Sequence, residues 1–387
     1  MLNKALSIKG QIIEWRRHLH QNPELGFEEH QTAKLVSETL ESFGLRVQTG
    51  VARTGVVAYL GEGKPAIGIR ADMDALPLQE ENDVPYVSQV ANKMHACGHD
   101  THVAMLLGTA KLLSEMEDRP AGEIRFLFQP SEEKWDQDGI SGGNLMVAEG
   151  ALDGLDAVFA QHITSMVPAG QIQIGSGPVM AAVDTFDAVI QGKGGHGAYP
   201  HETKDPTFAL AQVINAIHGI RSRRIDTLKP MIISIGSIQA GEASNIIPDS
   251  VKLNGTMRSY DEETRLQMRA ELKKAFSVCQ AFGCEEQLTI SEGYPATVNN
   301  PKVAEMIKQV GLDILGKDGL FTFEQGMGSE DFSYMTQKVP GAIFFLGAEL
   351  TDKSRPHHNP HFDIDESVLH KGSALLAETA LRFLKSF

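Results

Sequence analysis

Residues 123–133 read EIRFLFQPSEE, a short apolar run that passes directly into two adjacent carboxylates. The pattern recurs three times: PAIGIR (65–70) precedes ADMDALP, DAVFAQ (156–161) precedes HI, and GAIFFLG (341–347) lies one loop before RPHHNPHFDIDE. Short continuous apolar runs separated by helical segments such as DTHVAMLLGTAKLLSEM predict the strands of a buried, mostly parallel sheet. Ligands of open α/β sheets gather beyond the carboxyl ends of the strands, so the four polar clusters are predicted to form one site.

The composition is that of a globular protein with room for two domains. The chain has 387 residues, of which 42% are hydrophobic and 22% charged, and this length exceeds that of one typical domain. Thirty-five basic residues against 50 acidic ones give a net charge of −15. This charge disfavours nucleic acids and anionic membranes as partners, because both are polyanions.

The sequence also bears on where the protein resides. The N-terminal stretch MLNKALSIKGQIIEWRRHLH has no long apolar region, so we expect no signal peptide. No run approaches the roughly 18 apolar residues that a membrane span needs. The three cysteines, Cys97, Cys279 and Cys284, are too few for a disulfide framework and predict a reducing, cytoplasmic location.

The middle of the chain has a different order of elements. Two amphipathic helices, capped by Asp205 and Asp261, alternate with four strand-like runs: TFDAVIQG, PMIISIGSI, SVKLNGTMRSY and EQLTISEG. The resulting order, β-α-β-β-α-β, is the ferredoxin-like arrangement. We therefore predict an inserted domain at 184–294, within a discontinuous first domain made of residues 1–183 and 295–387.

The loop MHACGHDTH (94–102) offers ligands that Zn²⁺ and related ions prefer. Cys97 and His99 occupy alternate positions, so an extended loop would direct both side chains the same way. A buried histidine without a metal is the alternative. The flanking His95 and His102 are predicted to contact the ligands rather than a metal, or to face solvent.

Two carboxylate pairs follow strand-like runs. The adjacent Glu132 and Glu133 can divide two roles, one binding a metal while the other takes a proton from the attacking water; a solvated loop is the alternative. Asp72 and Asp74 alternate, so both can face one side if the strand continues. They would orient a ligating histidine or lie near the attacking water; a helix cap or an ion pair with Arg70 is the alternative.

Further histidines lie near the same clusters. His162 ends an apolar run, where it either binds a metal or has a structural role. Any one of His357, His358 and His361 can bind a metal. His196 lies in the glycine-rich loop GKGGHGAYPH, as a mobile group that reaches the site or as a flexible hairpin tip. Taken together, these residues favour a hydrolytic site with two metal ions.

The sequence resembles the bacterial N-acyl-amino-acid amidohydrolases, together with hippurate hydrolases, thermophilic aminoacylases and plant auxin-conjugate hydrolases. These belong to a larger group of dinuclear metallopeptidases. The motifs that carry the resemblance span almost the whole chain: RRHLHQNPELGFEE, IRADMDALP, MHACGHDTH, FQPSEE, GKGGHGAYPH, NIIPD, GTMRSYD, GSEDF and HHNPHFDIDE. The resemblance implies an α/β fold, with a mixed-sheet dinuclear catalytic domain and an inserted ferredoxin-like lid domain.

The resemblance also implies two divalent ions per subunit, with Zn, Mn, Co or Ni as candidates. The implied ligands are Cys97, His99, Glu133, His162 and His358. Cys97 takes the bridging position that is an aspartate in more distant relatives. His358 is preferred to the neighbouring histidines because the family pattern is H-x-P-x-F.

Other residues match the reacting groups of the family. Glu132 matches the general base. Asp74 matches the aspartate of an H-x-D pair, and Asp72 falls on the histidine position of that pair. His196 matches the histidine that stabilises the tetrahedral oxyanion. Residues that contact the substrate carboxylate in relatives match Asn245 and Arg258.

The predicted function is the hydrolysis of N-acyl amino acids, such as N-acetyl or N-benzoyl derivatives, to a carboxylate and a free amino acid. A carboxypeptidase or dipeptidase of the same chemistry and a non-catalytic small-molecule-binding protein are the alternatives. The resemblance implies a homodimer formed through the inserted domains, in which His196 acts in its own or in the partner subunit. One stretch departs from the family: KWDQDGISGG (134–143) is longer and more polar than usual, which bears on pocket shape.

Overall fold

The computed structural model describes residues 1–324, 326–352 and 355–386. Its α-helices, in chain order, are α1 (Leu2–Ser7), α2 (Lys9–Gln21), α3 (His30–Ser42), α4 (His99–Ser114), α5 (Gly142–Ala148), α6 (Pro206–Arg223), α7 (Glu262–Ser277), α8 (Pro301–Leu315), α9 (Phe332–Lys338) and α10 (Leu369–Lys385). Its β-strands are β1 (Arg46–Val51), β2 (Gly55–Leu60), β3 (Ala66–Asp72), β4 (Glu123–Gln129), β5 (Ala157–Thr164), β6 (Ile172–Gln173), β7 (Gly177–Met180), β8 (Ala182–Gln191), β9 (Gly195–His196), β10 (Met231–Ala240), β11 (Ile246–Ile247), β12 (Ser250–Ser259), β13 (Glu285–Glu292), β14 (Thr297–Asn299) and β15 (Gly341–Gly347).

The chain divides into two compact units. The first comprises Met1–Gly177, Val298–Glu324 and Asp331–Phe387, and the second comprises Pro178–Thr297 and Gln325–Glu330. Among the described residues, no helix combines the length and the apolar character that a bilayer span requires.

A seven-stranded sheet forms the centre of the first unit, in the order β1-β2-β4-β3-β5-β15-β6. The central strand β3 pairs in parallel with β4 and β5, and β5 pairs in parallel with β15. The three outer pairings are antiparallel. The mixed α/β class is therefore confirmed, whereas the expectation of a mostly parallel sheet holds only for the four central strands.

Helices cover this sheet and explain its continuous apolar runs. All seven residues of β3 are buried, since α4 and α10 pack against it. Helix α4 is enclosed on nearly every side, and 14 of its 16 residues are buried. Because α4 begins at His99, the packing of the helix fixes the position of the predicted metal loop.

Gly98 makes the turn into α4 possible. Its φ is +90°, and a Cβ at this position would lie 2.3 Å from Cγ2 of Ile163. Only glycine combines this left-handed conformation with so close an approach. The residue between Cys97 and His99 thus brings the loop directly against β5.

A four-stranded antiparallel sheet forms the second unit, in the order β10-β12-β8-β13. Its chain order is β8-α6-β10-β12-α7-β13, the ferredoxin-like succession. Both helices begin at predicted caps: Asp205 accepts from the amides of Thr207 and Phe208, and Asp261 accepts from the amide of Thr264.

Candidate metal centre

The parallel pairing of β3, β4 and β5 brings their carboxyl ends to one edge of the sheet. Asp72, the last residue of β3, pairs with Gln129, the last residue of β4. Arg70 pairs with Ala160 of β5, two residues before His162. The polar residues that follow these strands therefore lie together, although they are far apart in the sequence.

Two groups of possible metal ligands share one thiol. Cys97, His99 and His162 offer ligand atoms that all lie within 4.8 Å of one another. Cys97, Glu133 and His358 form a second such group. Within these groups, Sγ of Cys97 lies 3.6 Å from Nε2 of His162, and Oε1 of Glu133 lies 3.0 Å from Nε2 of His358. A thiolate that belongs to both groups can bridge two ions.

Two of the imidazoles are oriented by backbone carbonyls. Nδ1 of His99 lies 2.9 Å from the carbonyl oxygen of Asp74, and Nδ1 of His162 lies 2.5 Å from that of Ile163. A proton on Nδ1, donated to the carbonyl, leaves the lone pair of Nε2 free to bind a cation, which is how histidine ligands are commonly set. Nε2 of His99 is buried and has no hydrogen-bond partner among the described residues, so it is available to bind a cation.

Asp74 positions the two adjacent glutamates through their backbone amides. Its carboxylate accepts hydrogen bonds from the backbone amides of Glu132 at 3.0 Å and Glu133 at 2.9 Å. Oε1 of Glu132 in turn accepts from the amide of Asp331 at 3.4 Å. Asp74 therefore orients the loop that carries both glutamates, in addition to contacting His99.

Asp72 is buried between a cation and a histidine. Its Oδ2 accepts from Nη1 of Arg70 at 2.7 Å, and its Oδ1 lies 2.5 Å from Nδ1 of His102. Nε2 of His102 accepts from the amide of Ile163 at 2.8 Å. Of the two alternatives for His102, exposure to solvent is wrong, because the residue is 2% exposed and links Asp72 to β5. Its ring centroid lies 4.6 Å from that of His162, in agreement with the predicted contact to a ligand.

The charges of the site are arranged for a cation. Burial raises the pKa of the Cys97 thiol well above its ordinary value, and the carboxylates of Glu133 and Glu132 add to the rise. Burial opposes a charge on His99 as well, but Asp72 and Asp74 outweigh it and raise the pKa of His99 to about 10. A bound cation would reverse the first effect and favour the thiolate.

Of His357, His358 and His361, only His358 belongs to a metal-ligand group in the part of the chain that the structure describes. It lies in the left-handed region, with a φ of +56°. Nε2 of His357 accepts instead from the amide of Ser165 at 3.3 Å. His361 is exposed and pairs with Glu81 at 3.4 Å.

His95 does not face solvent either. It is 1% exposed, and neither ring nitrogen has a hydrogen-bond partner in the described ranges. Burial lowers the pKa of His95 to about 3, so the ring is neutral. Its ring centroid lies 6.4 Å from that of His20.

A buried network that the sequence did not reveal supports the site. Asp331 accepts hydrogen bonds from Arg70 at 3.0 Å, from Ser141 at 2.6 Å and from the amide of Gly143 at 2.7 Å. It also accepts from Gln129 at 2.7 Å. In the sequence, Asp331 is marked only by its place in the motif GSEDF. Its partners are far away in the chain, and no local pattern identifies them.

The remaining predicted residues lie in the second unit. His196 is exposed and pairs in β9 with Ile246 of β11, so it is part of a two-stranded ladder rather than a hairpin tip. The carbonyl of the exposed Asn245 accepts from the amide of Gly197 at 2.8 Å, which places it beside His196. Arg258 lies apart in β12, where its Nη1 donates to the carbonyl of Met327 at 2.9 Å.

The sequence matches the model of peptidase family M20/M25/M40 over residues 68–382. Among curated proteins it is 43% identical to thermostable carboxypeptidase 2 of Saccharolobus solfataricus, over 98% of this chain and 97% of that one. It is 38% identical to an IAA-amino acid hydrolase of Arabidopsis thaliana, over 97% and 86%. It is also 38% identical to the N-acetyl-L-cysteine deacetylase of Bacillus subtilis, over 98% and 90%.

A solved structure agrees with these sequence matches. It is that of a Bacillus subtilis protein described as a dinuclear metal binding peptidase from the M20 family, with a TM-score of 0.84 and 32% identity. The match covers 98% of this chain and 99% of that one. The resemblance that the motifs indicated is confirmed: this chain belongs to peptidase family M20/M25/M40 and is a metal-dependent hydrolase.

Proposed function

We propose that the enzyme hydrolyses the amide bond of N-acyl amino acids with the help of two divalent metal ions. The observation that carries this proposal is the pair of ligand groups that share Cys97, with Glu132 beside them. A third group, formed by His99, Glu132 and Glu133, adjoins the first two. The products would be a carboxylate and a free amino acid.

The residues present fit a pair of ions. Cys97 would bridge them, with His99 and His162 on one ion and Glu133 and His358 on the other. The buried Nε2 of His99, without a hydrogen-bond partner among the described residues, supports this assignment. Thiolate, imidazole and carboxylate together suit Zn, Mn, Co or Ni.

When bound, the ions would polarise the amide carbonyl and acidify the attacking water. Glu132 accepts the proton of that water as the general base, and it then delivers the proton to the leaving amine. Its backbone amide donates to Asp74 and its carboxylate accepts from the amide of Asp331, so the carboxylate is preorganised. We assign Asp72 and Asp74 to the orientation of His102, His99 and the glutamate loop, residues 131–133.

Three residues of the second unit are assigned to the substrate. His196, on an exposed strand, would stabilise the oxyanion of the tetrahedral intermediate. Arg258 and Asn245 would hold the α-carboxylate, since a guanidinium and an amide are suited to recognise it. We propose that the second unit, close to residues 184–294, acts as a lid and dimerisation domain.

Peptide hydrolysis is the second candidate, because a carboxypeptidase is 43% identical to this chain. The other named relatives, an IAA-amino acid hydrolase and an N-acetyl-L-cysteine deacetylase, favour N-acyl amino acids.

The three cysteines are free, which supports a cytoplasmic location.

A substrate panel tests the proposal. The purified enzyme would be stripped with a chelator, reloaded separately with Zn, Mn, Co or Ni, and assayed for the release of free amino acid. The panel pairs N-acetyl and N-benzoyl derivatives with dipeptides of the same C-terminal residue. We expect higher kcat/KM for the N-acyl series. Faster turnover of the dipeptides would favour the peptidase, and no turnover of either series would refute the proposal.

A further inference from the structure

Three consecutive backbone amides of the glutamate loop donate to buried carboxylates. The amides of Glu132 and Glu133 donate to Asp74, and the amide of the preceding Ser131 donates to Oε1 of Glu29 at 2.8 Å. Asp74 also contacts His99 and therefore belongs to the proposed site. Glu29, which ends the motif RRHLHQNPELGFEE, has no assigned role in that site.

Both carboxylate oxygens of Glu29 are engaged. Oε2 accepts from the hydroxyl of Thr54 at 2.5 Å, while Oε1 holds the amide of Ser131. The Glu29 side chain is 0% exposed, and the residue lies at the N-terminal end of α3. Its carboxylate is therefore fixed between a helix start, a buried hydroxyl and the glutamate loop.

The amide that Glu29 holds belongs to a residue in an unfavourable conformation. Ser131 has a φ of +46°, a region that residues with a Cβ seldom adopt. A Cβ added at Gly26 would lie 2.3 Å from Oγ of Ser131, so the segment before α3 packs directly on this residue. The left-handed turn at Ser131 redirects the chain, and the next two amides then point to Asp74.

We propose that Glu29 is a positioning residue that sets the orientation of the Glu132 carboxylate by holding Ser131 in its left-handed conformation. This inference rests on the proposed function, in which Glu132 is the general base. Glu29 acts through the loop and contacts neither the substrate nor a metal. Its loss should therefore reduce kcat much more than it changes KM or metal content.

The test compares Glu29→Ala with Glu28→Ala. Glu28 is the matched control, because it is the adjacent glutamate, is exposed and pairs with Lys93. Small misplacements of a catalytic group can cost on the order of 10²-fold in rate, so we expect a loss of this order in kcat for Glu29→Ala, with bound metal unchanged. Glu28→Ala should keep the wild-type kcat.

A conservative variant separates positioning from general stability. Glu29→Gln retains an oxygen that can accept from the amide of Ser131, so it should recover most of the kcat that Glu29→Ala loses. If thermal melting shows that Glu29→Ala is unfolded, Glu29→Asp replaces it, because its shorter side chain keeps the carboxyl group but does not reach the amide of Ser131. A Glu29→Gln variant as slow as Glu29→Ala would overturn the proposal.

A double mutant tests whether Glu29 acts through Glu132. If it does, adding Glu29→Ala to Glu132→Gln should slow the enzyme little further, since both changes remove one function. If the fold-losses in kcat of the two single variants multiply in the double mutant, the role of Glu29 is overturned. The same holds if Glu29→Ala keeps its full kcat while Glu132→Gln is inactive; neither result affects the general-base assignment. A fully active Glu132→Gln would instead refute the general-base assignment on which the proposed function depends.

Discussion

Sγ of Cys97 lies 3.6 Å from Nε2 of His162, although α4, β4 and α5 separate the two residues in the chain. The same thiol shares a second ligand group with Glu133 and His358. A single buried sulfur thus connects both halves of the proposed dinuclear site. Its position explains why one cysteine can matter to two ions.

Cys97→Ala should lower the bound metal towards one ion per chain or fewer and abolish most activity, because both proposed ions lose a ligand. Metal content by atomic emission is the measurement. Cys279→Ala is the matched control, since Cys279 is also a buried free thiol but lies in the second unit. Two tightly bound ions in Cys97→Ala would rule out a bridging thiolate.

The adjacent glutamates should give different phenotypes. Glu132→Gln should keep both ions and lose about 10²–10⁴-fold in kcat, the range of general base catalysis. Glu133→Gln should lose metal first, because its carboxylate lies among the proposed ligands, 3.0 Å from His358. Titration of metal into the two apo variants, followed by rate measurements at saturation, separates these effects; identical behaviour would contradict the division of roles.

His196→Ala should retain its metals and lose about 10²–10³-fold in kcat, as is typical for the loss of one oxyanion donor. This variant is mixed with Glu132→Gln and the subunits are allowed to exchange, which tests whether the histidine acts in a partner subunit. Recovery of activity from two inactive chains would show action in trans. Without recovery in verified mixed oligomers, the histidine acts in its own chain.

Amidation of the substrate α-carboxylate should remove most of kcat/KM. Arg258 is half-buried, and it would be left without its anionic partner in the complex. The comparison needs one N-acyl amino acid and its amide, assayed with the wild type and with Arg258→Met. The ratio of kcat/KM for the acid to kcat/KM for the amide should be smaller in Arg258→Met than in the wild type. An equal ratio would exclude Arg258 from carboxylate recognition.

Asp184→Asn should destabilise the second unit at neutral pH by about 3 kcal/mol, because it leaves two arginines without their buried partner. Oδ1 of Asp184 lies 2.7 Å from Nη2 of Arg265, and Oδ2 lies 2.6 Å from Nε of Arg269. Burial alone would raise the pKa of Asp184, but Arg269 and Arg265 outweigh it and hold the pKa below its ordinary value.

The sign of the pH effect follows from that lowered pKa. The stabilisation by Asp184 is fully present above its unfolded pKa of about 3.9 and is lost as the pH falls through the folded value. The difference between wild type and Asp184→Asn in urea unfolding should therefore shrink in strong acid. Asp187→Asn, at an exposed position of the same strand, should change stability little; a pH-independent difference for Asp184→Asn would contradict the ion-pair explanation.

Local sequence determined the elements and the kinds of chemistry. The caps at Asp205 and Asp261 and the apolar runs of β3, β4, β5 and β15 were readable, because they depend on neighbouring residues. Ligand-type residues at the ends of these runs followed from the same pattern. The family motifs then indicated a set of residues that includes Glu132 and Cys97.

Tertiary structure decided which partners each of these residues has. His102 was expected either to contact the ligands or to face solvent, and only the structure shows that it connects Asp72 to the amide of Ile163. Asp331 binds Arg70 across 261 residues of sequence, and Glu29 holds Ser131 across 102. Such contacts depend on strand register and on the path of distant loops, which no local periodicity encodes. The sequence by itself therefore determined the elements and the types of reacting groups, whereas only the folded chain decided how those groups are oriented.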